Sequence, residues 1–109
     1  MTGQQAAMEQ AHRAVEQGEW PRDEINVLVI RIMGVRLIQA PIPRMVRSEL
    51  SQAVKTGKLG RLPRKGLLPE AYFHPNSRGR AIEKRRQVAF DAAQAIAKIA
   101  GRDPAELKA

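Results

Sequence analysis

The stretch Lys58-Leu59-Gly60-Arg61-Leu62-Pro63-Arg64-Lys65-Gly66-Leu67-Leu68-Pro69-Glu70-Ala71-Tyr72-Phe73-His74-Pro75 decides the fold. Leu59 and Leu62 mark one short arm, and Tyr72 and Phe73 mark a second. Between them Pro63-Arg64-Lys65-Gly66 supplies turn chemistry. Pro63 and Pro69 lack a backbone donor, so both arms are confined to short or edge strands. The reading is a β-hairpin whose tip holds Arg64 and Lys65 in solvent.

Just upstream, Pro43 suits the first turn of a helix over 43–56, ended by Gly57. Val46, Leu50, Ala53 and Val54 make its buried face, and Arg44, Arg47, Ser48, Ser51, Gln52 and Lys55 its outer faces. Before it, Val35 to Ala40 reads as a short strand, with Val35, Leu37 and Gln39 on one side and Arg36 and Ile38 on the other. Pro41-Ile42-Pro43 ends that strand. A helix capped by Asp23 and stopped by Gly34 precedes it. Ile25, Leu28, Val29, Ile32 and Met33 recur there at helical spacing, which predicts the centre of the core. Trp20, beside Pro21, is expected as a packing anchor.

The first segment, Thr2 to Gly18, predicts another helix with a thin stripe of Ala7, Met8, Ala11, Ala14 and Val15. Downstream, Asn76-Ser77-Arg78-Gly79 breaks the chain before a long helix over 80–100. The first turns of that helix are basic. Its later part, Ala89, Phe90, Ala92, Ala93, Ile96, Ile99 and Ala100, is apolar and predicts core or a homodimer interface. Asp103-Pro104 suggests one further turn. The expected fold is therefore α+β and mostly helical: four helices, a short strand and a basic β-hairpin. Residues 1–109 read as one domain, with an N-terminal helix over 1–18, a core over 22–100 and a short tail over 101–109.

Charge gives the functional signal. The 109 residues hold 19 Lys and Arg against 11 Asp and Glu, a net +8. All of the excess lies in residues 44–86, which carry twelve cations against Glu49, Glu70 and Glu83, a block of +9. Residues 1–43 come to −1 and residues 87–109 to zero. A one-sign block in an otherwise balanced chain reads as the footprint of a polyanion. Eight of the twelve are arginines, the side chain suited to phosphate forks and guanine edges.

The element order from helix through strand, helix, basic hairpin and long helix is similar to that of winged helix-turn-helix DNA-binding domains over residues 22–100. The resemblance implies a reading helix over 43–56, with Arg44, Arg47, Ser48, Ser51, Gln52 and Lys55 toward a duplex. It implies a wing holding Lys58, Arg61, Arg64 and Lys65. The family places two helices joined by a tight turn ahead of its wing; here one helix stands in that place, unless it breaks near Arg47-Ser48. The implied function is a small DNA-binding transcriptional regulator of bacterial or phage type.

Further candidates come from the residues themselves. Free N–H groups at Asn76 to Gly79, with Ser77, Arg78 and Arg80, suit a single phosphate. Lys84, Arg85 and Arg86 extend that basic run. Tyr72, Phe73 and His74 suit either base stacking or the packing of the hairpin onto a core. Two other functions fit the same charge: a small interaction module or inhibitor docking on an acidic protein or nucleic-acid channel, and an RNA- or ribosome-binding protein.

Several classes are excluded. No cysteine means no disulfide, thiolate zinc site or cysteine nucleophile. Neither His12 nor His74 has a second histidine at helical spacing, and no phosphate loop is present. The acids within the basic block are scattered, so neither a catalytic site, a metal nor a cofactor is expected. The longest apolar run, Val27 to Ile30, is far short of a membrane span. No secretory signal is visible, and a cytoplasmic location is expected.

Overall fold

The computed structural model describes Glu9, Arg13, residues 18–22 and residues 24–101. The expected helix over 2–18, its stripe, the Asp23 cap and the Asp103-Pro104 turn lie outside the described residues. Among those described, the elements run α1 (Asn26–Met33), β1 (Val35–Ile38), α2 (Arg44–Lys55), β2 (Gly60–Leu62), β3 (Glu70–Phe73), a 3-10 turn (Pro75–Ser77) and α3 (Arg78–Ile99). The class is α+β and mostly helical; among the described residues stand three of the four expected helices and a three-stranded antiparallel sheet. No helix of the described residues is long and apolar enough to cross a membrane.

The strands lie in the order β1-β3-β2. Val35 pairs with Phe73 and Ile38 with Glu70; on the other side Gly60 pairs with Phe73 and Leu62 with Ala71. All four residues of the central strand β3 are buried, because both faces of the sheet are covered. Side chains alternate across a strand, and the core divides accordingly. Tyr72 joins Ile30, Val46, Leu50, Ala53 and Leu59 on the face covered by α1 and α2. Ala71 and Phe73 join Val35, Leu62 and Ala81 on the face covered by α3. The sheet is the middle of three layers.

The α1 helix departs from its sequence reading. It begins at Asn26; Glu24 and Ile25 form a turn ahead of it. Its buried residues are Asn26, Val29 and Ile30, while Leu28 and Ile32 are exposed. Asn26 explains the rotation. Its Nδ2 donates to the Pro21 carbonyl at 3.1 Å and to Glu49 Oε2 at 3.0 Å, which draws this edge of the helix inward. Spacing alone counted only apolar side chains and so chose a stripe one position away.

The β1 strand stops at Ile38, leaving Gln39 and Ala40 exposed beyond it. The hairpin reverses later than expected. Lys65 and Leu68 exchange backbone hydrogen bonds of 3.0 and 2.9 Å, so Gly66 and Leu67 form the turn. Gly66 takes φ +57° at the first central position, which a side chain would resist. Gly60 is required for a different reason: a Cβ there would collide with the Phe73 ring. Trp20 is partly buried against the α1–α2 core, and the Arg36 guanidinium stacks 3.4 Å above its ring centre.

Candidate nucleic-acid interface

On α2 the buried positions are Val46, Leu50 and Ala53. At 3.6 residues per turn the opposite stripe is Arg44, Ser48, Ser51, Gln52 and Lys55. Four of these are exposed and Ser51 is half-buried. The helix runs unbroken from Arg44 to Lys55, so one rigid rod of about 18 Å presents all five. Its outer stripe holds no acid. Lys58 is exposed just past the end of α2, where its N–H bonds the Ala53 carbonyl at 2.9 Å.

Arg47 sits on the flank of that stripe and has a partner. Its Nη1 donates to Glu70 Oε2 at 2.9 Å and to the Tyr72 hydroxyl at 3.1 Å. Arg61, across the hairpin, donates from Nε to the same carboxylate oxygen at 2.7 Å. Glu70 and Tyr72 share the α2-facing side of β3, and Arg61 pairs in register with Tyr72. Alternation in β2 and β3 thus places all three beneath Arg47.

Burial alone would raise the Glu70 carboxyl. The hydrogen bonds and charges of Arg47 and Arg61 outweigh that and hold it below the usual carboxylate range. The Glu70 bond in turn raises the Arg47 guanidinium above its ordinary value, against a smaller effect of burial. Both arginine side chains remain about 42% exposed. They are therefore anchored at one end and open to solvent at the other. Together with Arg64 and Glu70 they line an open groove of about 590 Å³ at the end of the sheet, between the hairpin and the Ile38–Pro41 segment, with Val88 of α3 at its far side. Beyond it Arg64 and Lys65 stand exposed at the hairpin's end. Arg47 thus links α2 to the groove and the hairpin; on the other flank of the stripe, Arg44 and Ser48 line an open pocket with Glu24 and Glu49.

The comparisons add no assignment. No family model, curated protein or solved structure matches this chain. The surface is read from its own chemistry.

The remaining sequence candidates lie elsewhere. Arg78, Arg80, Lys84, Arg85 and Arg86 belong to α3, which covers the opposite face of the sheet. Arg80 lies across Gly34, with Nη1 2.9 Å from where a Cβ would stand. Arg85 Nη1 donates to the Pro63 carbonyl at 2.8 Å and ties α3 to the hairpin arm. Arg86 is 3.6 Å from Glu83. At the start of α3, the Asn76 N–H is bonded to His74 Nδ1 at 3.1 Å and the Ser77 N–H to the His74 carbonyl at 2.7 Å. Two of the donors expected to cradle a phosphate are already engaged. Tyr72 and Phe73 are buried and pack the hairpin onto the core, out of reach of a base.

The sequence reading missed Glu70 as the anchor of the surface, having counted it among scattered acids. A signal existed: Glu70 and Tyr72 alternate with the apolar Ala71 and Phe73. Among the described residues no group of three His, Cys, Asp or Glu side chains is placed to hold a metal.

Proposed function

We propose that this chain is a small nucleic-acid-binding protein, favouring duplex DNA, that acts as a transcriptional regulator of the winged-helix kind. The observation that carries the reading is the set of exposed cations on the α2 stripe and the hairpin, joined through the arginine-lined groove by Arg47, Glu70 and Arg61. A solitary helix of this diameter fits the major groove of B-DNA. Arg44, Lys55, Lys58, Arg61, Arg64 and Lys65 are the phosphate contacts, and Ser48, Ser51 and Gln52 hydrogen-bond bases or phosphates. Glu70 takes one charge from this surface, and in return it fixes Arg47 and Arg61 in place on it. The reading assigns binding and no catalytic step.

The test is a combined Arg44→Ala, Lys55→Ala, Arg64→Ala and Lys65→Ala variant, with Lys84→Ala/Arg86→Ala on α3 as the comparison. All six side chains are exposed, so the fold is expected to survive. Fluorescence anisotropy on a labelled duplex should show the first variant losing roughly 100-fold or more in affinity, from four lost phosphate contacts, and the second losing far less. Equal losses in the two, or none in the first, would overturn the assignment of this face.

A second reading has its own observation. Met45 is 75% and Leu67 49% exposed beside the basic side chains. Apolar groups among cations suit an acidic protein partner as well as thymine methyls. Stoichiometric capture of such a partner, without affinity for free duplex, would favour it.

A further inference from the structure

The apolar face that seats α3 on the sheet continues after the sheet has ended. Ala81 and Ile82 pack on the strands. Arg85, Val88, Ala89 and Ala92 stay half-buried along the same side, and from Ala93 onward every described residue of the helix is exposed. A strand of four residues covers about 13 Å, whereas the 22 residues of α3 span about 33 Å. The last turns therefore overhang. On them Ile96 is 55% and Ile99 85% exposed. At about 100° per residue, Ala89, Ala92, Ala93, Ile96, Ile99 and Ala100 fall within roughly a third of the circumference. Gln87, Asp91, Gln94 and Lys98 group on the other side. This is an amphipathic segment whose apolar side is exposed from Ala93 onward.

We propose that the overhang of α3 is the interface of a two-fold homodimer, in which the same segment of a second copy packs antiparallel against it. Two features select a second copy. The first is charge. Each chain carries +8, concentrated in residues 44–86, so two copies repel wherever those residues face each other. Residues 87–101 hold one acid and one base, Asp91 and Lys98, both on the side away from the apolar stripe. Two chains thus meet at a segment without net charge.

The second feature is self-complementarity. A two-fold axis between Gln94 and Ala95 sets Ala93 opposite Ile96 of the second copy, and Ala89 opposite Ala100. Small side chains then face large ones at the centre and small face small at the ends, which lets two helices approach closely. The contact is short, smaller than a standard stable interface, so association is weak and concentration-dependent. The pair would hold two α2–hairpin surfaces in one particle, a geometry for two half-sites on a duplex.

Sedimentation velocity of the full chain, from low micromolar to several hundred micromolar, reads the proposal directly. The mean mass should rise from 12.1 kDa toward twice that value. Ile96→Glu and Ile99→Glu, both at exposed positions, should stay monomeric with an unchanged far-ultraviolet circular dichroism spectrum. Because the chain has no cysteine, Ile96→Cys gives a second readout: a short bis-maleimide should link two copies. A chain that stays monomeric throughout and labels only singly, as it would if residues 1–17 covered the overhang, overturns the proposal. So does a dimer that both glutamate variants leave intact. No nucleic acid enters the test, so its failure is distinct from failure of the binding assignment.

Discussion

Glu70 holds the candidate surface together. Its side chain is 8% exposed and accepts from two arginines on different elements. Removing its charge leaves Arg47 and Arg61 facing each other without compensation. Glu70→Gln is expected to cost on the order of 1–2 kcal/mol in urea denaturation, the range for a lost charge-assisted contact whose other partners still reach water. The carboxyl's folded value is depressed, so its contribution is complete above the unfolded value of about 4.3 and is lost as pH falls through the folded value. The wild-type melting temperature should therefore drop as pH is lowered past about 4, and Glu70→Gln should flatten that drop. An identical acid profile for both proteins would remove Glu70 from this role. Arg36 differs: burial lowers its guanidinium to about 10, and it stays charged at neutral pH over Trp20 while bonding the Glu19 carbonyl at 2.8 Å.

At the scale of elements, the hairpin depends on one missing side chain. Gly60 pairs with Phe73, and the ring occupies the space a Cβ would need. Gly60→Ala should destabilise the protein by about 1–3 kcal/mol through overpacking, measured as a lower urea midpoint. Unchanged stability would mean that Phe73 is not held against β2. Element types were legible because the periodic stripes, prolines and glycines of α2, α3 and the hairpin agree locally with the final fold. The orientation of α1 was not, since a buried Asn26 bonded to Pro21 and Glu49 leaves no trace in an apolar pattern. The turn position also escaped: four turn-forming residues lie together at Pro63 to Gly66, and only cross-strand pairing selects Gly66-Leu67. The α2 stripe could be read from spacing alone. The anchoring of its flank required knowing that β3 lies between β1 and β2.

At the scale of the whole molecule, the sheet divides a block of charge that is continuous in sequence. The residues of α2 and the hairpin gather on one surface, while those of α3 lie behind the sheet, some bonded to the protein itself. Linear charge density thus overstates the size of the proposed interface. Arg44, Lys55, Lys58, Arg61, Arg64 and Lys65 are the six cations assigned to phosphates. Neutralising six phosphates releases condensed counterions, so log affinity should fall against log salt with a slope of about −5. The measurement that tests this account most directly is a salt titration of the wild-type chain on random duplex DNA by fluorescence anisotropy, with duplex RNA and single strands alongside. The expected result is tight binding to duplex DNA at low salt that weakens with that steep slope. A slope near zero, or no binding to any of the nucleic acids at low salt, would contradict the account and leave the basic surface as a site for an acidic protein.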